Sequence, residues 1–399
     1  MRFWRRRFRT AYNGSYAPAA RAERLLALRM ALKTTRFAAE HVDMVREFNR
    51  RIALGGWGEY HFPSDTELFD KSANTPARWE GWLVMDAAAV RGGYLLKHQE
   101  FSFSGDLRPV AFYNLSVSEG VVDRAFSGVS LRMATHAVTE NPLLFALGMG
   151  SRDRPLPRFL KGLGWDLYDV PFLFRILRPA RVLGNLTTLR STPFRRLAFN
   201  LAAYSGIGAA GIGLLQARKR FGAAPKQVAV AHEVSEFGGW ADDLWRRCHG
   251  SYAMIARRDS LALNTLYPAT FERLIRLRIE SGGAVIGWVI VRATRMHGHK
   301  QFGNLHVGSI VDCLAEEADA SLVIRGATRF LEGRGVDLIV SNQTHRAWCT
   351  ALDRAGYLRG PSNYILAVSR PLSRLLGPLE TSAGRVHVNR GDGDGPINI

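Results

Sequence analysis

One ordered set of sequence signals occurs twice in this chain, and no other feature limits its possible folds as much. Ser118–Asp123 (SEGVVD) is matched in type and position by Gly308–Asp312 (GSIVD). Downstream, Asp153–Trp165 (DRPLPRFLKGLGW) is matched by His345–Tyr357 (HRAWCTALDRAGY). The shared Asp precedes the Gly-aromatic pair by 41 residues in one half and 44 in the other. A chain of 399 residues exceeds one ordinary hydrophobic core. The duplication therefore predicts two domains built alike.

Local patterns fill in the two copies. In the first, Leu25, Leu28, Leu32, Val42, Val45, Phe48 and Ile52 fall at three- and four-residue steps, predicting one helix over 22–52 ended by Gly55-Gly56. Segments 82–86, 89–98 and 110–117 read as strands, with turns at Gly92-Gly93 and Gly105-Asp106. A helix over 131–138, a buried strand over 143–149 and a short helix over 156–163 follow, and a strand over 170–176 closes the unit. In the second copy, 271–280 reads as a helix before Gly282-Gly283, and 285–294 and 305–312 read as strands. A helix (320–331), a strand (338–341), a helix (346–355) and a last strand (364–368) complete it. The expected layout is a basic arm (1–20), a first domain (21–180), a basic apolar linker (181–232), a second domain (233–378) and a tail (379–399). The tail is rich in Gly, Asp and Asn without periodicity, which predicts disorder.

The formal net charge of +19 is concentrated. Arg2, Arg5, Arg6, Arg7 and Arg9 lie at the start without an acid, and residues 170–232 hold ten Arg or Lys and no Asp or Glu. Within that stretch Leu197–Leu215 is uncharged, flanked by Arg195-Arg196 and Arg218-Lys219-Arg220. Its length permits a membrane span, but Asn200, Ser205 and four glycines make a poor one, so it reads as interfacial or packed helix. Basic residues interleaved with Leu, Phe and Trp suit an anionic membrane surface better than nucleic acid. Gly206–Gly211 matches G-x-G-x-x-G, yet the next acid is Glu233 and the flanks are basic, so it is not a dinucleotide fingerprint. Cys248, Cys313 and Cys349 are an odd number without ligand spacing, which argues against disulfides and zinc and suits a reducing compartment. His297, His299 and His306 have no carboxylate at useful spacing, so no metal is expected. The basic N-terminal arm lacks a following apolar run, so a cytoplasmic protein, peripheral on the inner membrane face, is expected.

Strand–strand–strand–helix–strand–helix, closing on a Gly-aromatic pair and a last strand, resembles the GNAT acyltransferase fold. In that family the helix after the fifth strand carries an Asn, an Ala, a Tyr and then Gly-Phe. Here Gly164-Trp165 and Gly356-Tyr357 supply the pair, Leu160 and Leu352 occupy the Tyr position, and Asp153 and His345 occupy the Asn position. The stretches VREFNRRIALGG, RGGYLLKHQEF and LLFALGMGSRDRPLPRFLKGLGW also resemble bacterial tandem GNAT proteins linked with exopolysaccharide production. The pairing of two such folds is similar to the Fem-type aminoacyltransferases of peptidoglycan synthesis. The resemblance implies an α/β (α+β) class: two GNAT-like mixed-sheet lobes in tandem with a basic apolar helical linker. It further implies an acyl-CoA (acetyl-CoA) donor.

An acyl-CoA pyrophosphate needs backbone N–H donors at a helix N-terminus. Arg124, Gly128, Val129 and Ser130 resemble the family's R/Q-x-x-G-x-G/A loop with one extra residue. The second half has Asp312–Asp319 (DCLAEEAD) at this place, whose acids repel phosphate, so the first half is the expected donor site. Acyl transfer to an amine needs a base. Glu119 and Asp123, four apart on an expected fourth strand, share one face and are candidates. Tyr168 or Tyr113 would return a proton in place of the Tyr that Leu160 replaces. Asp312 and His345 are candidate acceptor-binding residues, with Cys349 one helical turn from His345; the structural alternative is a helix-starting histidine and a core cysteine. The expected activity is N-acyl transfer to an amine of a cell-envelope or exopolysaccharide-related acceptor. The alternatives are Fem-type transfer with an aminoacyl-tRNA on the basic zones, or a non-catalytic GNAT-like scaffold for polysaccharide synthesis.

Overall fold

A computed structural model describes residues 32–185 and 227–393 apart from 73, 88, 300 and 301, together with 210, 211, 213, 214, 216 and 217. The basic arm, most of Leu197–Leu215 with its flanking arginines, and the start of the expected first helix lie outside the described residues. No helix among the described residues is long and apolar enough to cross a membrane. The described chain forms two compact units. The first holds the described parts of 1–66, 81–94 and 115–136, and the second those of 67–80, 95–114 and 137–399.

The fold is mixed α/β with two mixed sheets, and strands are numbered here in chain order. The first sheet runs β1 (Lys33–Arg36), β2 (Ala77–Asp86), β3 (Ala89–Phe103), β4 (Asp106–Ser118), β5 (Leu144–Leu147), β15 (Ile365–Val368), β6 (Asp166–Asp169). On β3 sits β9 (Met254–Ala256), which also carries β16 (Val386–His387). The second sheet runs β14 (Leu358–Gly360), β7 (Phe172–Ile176), β13 (Leu338–Asn342), β12 (His306–Ala315), β11 (Ala284–Arg295), β10 (Ile275–Ser281), β8 (Val230–Glu233).

The two halves exchange a strand. β7, expected to close the first domain, lies antiparallel between β13 and β14, with Phe174 opposite Val340 and Leu358. Conversely β15 lies antiparallel between β5 and β6, with Ala367 opposite Ala146 and Leu167. Both are short apolar runs fit for a sheet centre covered on each face. Such a pattern states that a strand is buried but not which neighbours it takes.

The duplicated Gly-aromatic pair has a mechanical meaning. After the helix Pro155–Gly162, Gly164 takes a φ of 79°, and Trp165 N donates to Leu160 O while Gly164 N donates to Lys161 O. After Arg346–Arg354, Gly356 takes 87°, and Tyr357 N and Gly356 N donate to Leu352 O and Asp353 O. Both are Schellman stops, where the left-handed residue is cheapest as glycine. Tyr357 is fully buried, as are Trp288 and Trp348, and each such side chain contributes roughly 1.5–3 kcal/mol of hydrophobic stabilisation.

Four sequence expectations are corrected here. The described part of 22–52 is not one helix, because Thr34 and Thr35 pair with Val84 and Leu83 as part of β1 and the helix begins at Val42. β-branched threonines suit the pleat. The expected helix over 271–280 is largely strand β10, in which Ile275, Leu277 and Ile279 alternate with Arg276, Arg278 and Glu280. Gly92-Gly93 is no turn but the interior of β3. A Cβ on Gly92 would lie 2.6 Å from Val129 Cγ1 and 3.0 Å from Val117 O, and one on Gly93 would lie 2.9 Å from the Phe62 ring. Finally, the tail is ordered through Gly393, with the helix Leu379–Ser382, β16 and a turn over Arg390–Asp392.

Candidate functional site

In the first unit β4 ends at Ser118, and a tight loop leads to the helix Val129–Glu140. The Ser118 side chain accepts from Gly120 N, and a Cβ on Gly120 would meet Phe126 O at 2.8 Å, so the loop folds closely on itself. Asp123 starts a second turn by accepting Ala125 N at 2.9 Å, with Arg124 exposed beside it. Gly128, Val129 and Ser130 then supply the first amides of a helix, groups with no intrahelical acceptor at the positive end of the helix dipole. The structure thus brings together Arg124, Gly128, Val129 and Ser130.

The expected pairing of Glu119 and Asp123 on one strand face is not found, since both lie beyond the end of β4. Glu119 is buried, and its two oxygens are occupied by arginines. Arg51 Nε reaches Oε1 at 2.9 Å, while Arg51 Nη2 and Arg91 Nη1 reach Oε2 at 3.1 and 3.0 Å. Arg91 also binds Asp86 at 2.8 Å and lies 4.2 Å from the centre of the Phe126 ring. Three of its four lone-pair positions are thus taken by guanidinium donors, and a carboxylate held this way anchors the loop. Asp123 is the loop carboxylate exposed to solvent.

In the second unit Tyr168 stands half-buried on β6 opposite Leu366, and burial first, then Cys349, raises its hydroxyl pKa. Tyr113 is buried beside Trp165, a core residue.

Asp312, the expected acceptor-binding residue, is a buried ion. Its carboxylate is fully enclosed, with Oδ1 accepting from Asn389 Nδ2 (2.7 Å) and Cys313 N (2.9 Å) and Oδ2 from Tyr267 Oη (2.7 Å). Arg258 Nε lies 2.8 Å from Oδ2, and its Nη2 reaches Asp392 Oδ1 at 2.6 Å. Burial opposes the charge on Asp312, but Arg258 and then His387 hold its pKa below the ordinary value. Asp392, on the far side of the same arginine, is pushed up by burial. Asp312 also does not correspond to Asp123: it lies inside β12 opposite Ile290, three residues before the strand ends, whereas Asp123 lies five residues past the end of β4.

His345 precedes the helix Arg346–Arg354 without capping it through its side chain. Its ring packs edge-on against Tyr252 at 4.7 Å, and Nε2 lies 3.6 Å from Glu317. Burial, then His387 and Arg346, lowers its pKa to about 3, so it is neutral. Cys349 donates its thiol to Gln343 O and burial raises it to about 11, the core role of the structural alternative. No hydrogen bond or ion pair joins Asp312 to His345 among the described residues. Sequence reasoning missed Arg258, Tyr267, Asn389 and Asp392, which stand in no motif; Arg258 and Asp392 meet across 134 residues. Among the described residues no group of three or more His, Cys, Asp and Glu could hold a metal.

Each sheet contains a parallel pair that separates. β4 and β5 pair at Ala111↔Leu144 and Phe112↔Phe145, and β4 carries Leu115 at a φ of 45° beyond them. β12 and β13 pair from Val307↔Leu338 to Ile310↔Ser341. Just there Val311 bulges, since Ile290 faces Asp312 and Val291 faces Ile310.

No protein-family model matches the sequence, and no curated protein matches it. Among solved structures, the chain is similar to Saccharomyces cerevisiae N-myristoyltransferase with bound myristoyl-CoA, at 10% identity and a TM-score of 0.48, over 85% of this chain and 82% of that one. It is also similar to a probable N-acyltransferase from Enterococcus faecalis V583, at 11% identity and a TM-score of 0.49, over 87% and 74%. A tandem GNAT protein from the clavulanic acid biosynthesis pathway is similar at 14% identity and a TM-score of 0.44, over 85% and 98%.

Proposed function

We propose that the chain is a GNAT-type N-acyltransferase that takes its acyl group from an acyl-CoA at the loop after β4. The observation that carries this reading is the run Arg124–Ser130, a compact turn delivering three helix-start amides beside an exposed arginine. A diphosphate there meets Gly128, Val129 and Ser130 N–H groups and the Arg124 guanidinium. With Glu119 engaged by Arg51 and Arg91, Asp123 becomes the base of this reading, exposed on the same loop. The acceptor is an amine of a cell-envelope or exopolysaccharide-related intermediate, an assignment supported by the basic zones at 1–9 and 170–232. One observation favours a non-catalytic scaffold instead: Leu160 is fully buried where a proton-returning Tyr would stand.

Calorimetric titration with CoA and acetyl-CoA tests the reading. The full chain binds saturably. Gly128→Asp sets a carboxylate about 4 Å from phosphate, a repulsion on the order of 4 kcal/mol near a protein surface, so affinity falls roughly 100-fold or more. Ala318→Asp, in the exposed turn after β12, leaves binding unchanged. No binding by the intact chain, or equal losses in the two variants, overturns it.

A further inference from the structure

The second sheet opens between β12 and β13 beyond Ile310↔Ser341, and a later segment of the same chain lies in that opening. On the β13 side, Thr344 N donates to Val388 O at 3.2 Å and Val388 N donates to Thr344 Oγ1 at 2.9 Å. Asn389 forms an antiparallel bridge with Gln343. On the β12 side, His387 donates Nε2–H to Cys313 O at 2.8 Å, and Asn389 Nδ2 donates to Asp312 Oδ1 at 2.7 Å. The segment therefore hydrogen-bonds to both walls of the opening. Its end is held by Lys97 Nζ, which donates to Asp392 O at 2.8 Å and Gly393 O at 3.2 Å, and by Arg258 on the Asp392 carboxylate. Little room is left: a Cβ on Gly391 would lie 2.1 Å from Tyr267 Oη and 3.0 Å from Asp312 Cβ.

We propose that the opening between β12 and β13 is a peptide-binding site whose resident ligand is Val386–Gly393, and that it is thereby closed to an acyl-CoA. Up to Asn389 the contacts are those of an extended peptide, with main-chain pairing on one wall and side-chain anchors on the other. The turn Arg390–Asp392 then delivers a carboxylate to a buried arginine. Exposed Glu316 and Glu317, with Asp319 beyond them, follow β12 where the first half has Gly128–Ser130, so the approach repels diphosphate as well. Closure to acyl-CoA rests on the donor reading above; occupancy by the segment does not.

Two measurements on the full chain and one variant decide the matter. Hydrogen exchange read by mass spectrometry shows amides 387–392 protected to within tenfold of β12, and CoA titrates to one equivalent per chain. Gly391→Leu displaces the segment, so its amides exchange at least 100-fold faster. A synthetic peptide of residues 385–393 then binds the variant at one per chain and not the unaltered protein. Rapid exchange of 387–392 in the unaltered chain, or peptide binding to it as tight as to the variant, overturns the proposal. Two equivalents of CoA with the segment protected overturn its closure to acyl-CoA. Failure of CoA to bind at all removes the donor reading and leaves the exchange result standing; if Gly391→Leu does not fold, exchange and stoichiometry in the unaltered chain still decide.

Discussion

Replacing Arg258 with methionine keeps an unbranched apolar stem and removes the cation between two buried carboxylates. Arg258 is 0% exposed, Asp312 0% and Asp392 1%, so water cannot take over its role. Breaking a buried pair by removing one partner costs about 3–5 kcal/mol. Domain stabilities are typically about 5–15 kcal/mol. Without Arg258, burial raises the folded pKa values of both carboxylates above their unfolded ones, Asp312 losing the cation that holds it low. That penalty is full above the folded values and shrinks as pH falls through them, because protonation removes the uncompensated charge. Urea unfolding therefore shows Arg258→Met less stable by about 3–5 kcal/mol at pH 8 and by a smaller margin at pH 5. Adding Asp312→Asn and Asp392→Asn to Arg258→Met recovers at least half of the loss at pH 8, since the charges are gone and Asn389 and Tyr267 still have an amide to bond. A deficit below roughly 1 kcal/mol, or one that is constant from pH 8 to 5, would refute the argument that this arginine is the counter-ion of the core.

Two further outcomes are expected. His345 and His387 are held neutral, with pKa values lowered by burial to about 3 and about 4 from the ordinary 6.5. Their stabilisation is present above pH 6.5 and is lost as pH falls toward the folded values, so each withdraws about 2 kcal/mol by pH 5. The double variant His345→Gln, His387→Gln flattens the urea midpoint against pH over that window, and an unchanged slope sinks the assignment. In liposome flotation the intact chain rises with anionic vesicles at low salt and much less with neutral ones, each basic residue near the surface contributing on the order of 1 kcal/mol. Deleting residues 1–10 and converting Arg218, Lys219 and Arg220 to Gln releases it; an intact chain that stays at the bottom shows that the basic zones serve another purpose.

Elements with one dominant period were legible in the sequence. β11, β12 and the helix Ala320–Gly333 fall where Val285–Thr294, Leu305–Asp312 and Ala320–Leu331 predict them. β10 was misread because Phe271, Leu274 and Ile275 mimic a helical step before Leu277 and Ile279 reveal the alternation. The Schellman stops at Gly164 and Gly356 were visible as a repeated pair, since a left-handed position selects glycine locally. The exchange of β7 and β15 was not legible, because a buried run such as Ile365–Val368 carries no address for its partners. Nor was the order of the tail. Val386, Val388, Asn389 and Asp392 are fixed by Thr344, Asp312 and Arg258, polar partners scattered along the chain, and hydrophobic periodicity cannot record them. Of the candidate site, the sequence could place Arg124–Ser130 at the start of the helix that follows β4, but the face of Glu119 depended on a strand end that shifted by a few residues.

The strand exchange also dictates when the molecule can be finished. Leu144 N donates to Ser369 Oγ across 225 residues of chain, and Arg175 binds Glu332 across 157. At about 5–20 residues per second, roughly ten to forty seconds separate the emergence of β6 from that of β15. Throughout that interval β5 and β6 flank an empty strand position with open edges, the kind that pairs with foreign chains. The second half meanwhile needs a strand that was made before any of its own. Each half is thus an incomplete template awaiting the other, so the halves expressed separately should aggregate, and a folding helper that shields apolar strands for tens of seconds should raise the yield of the whole chain.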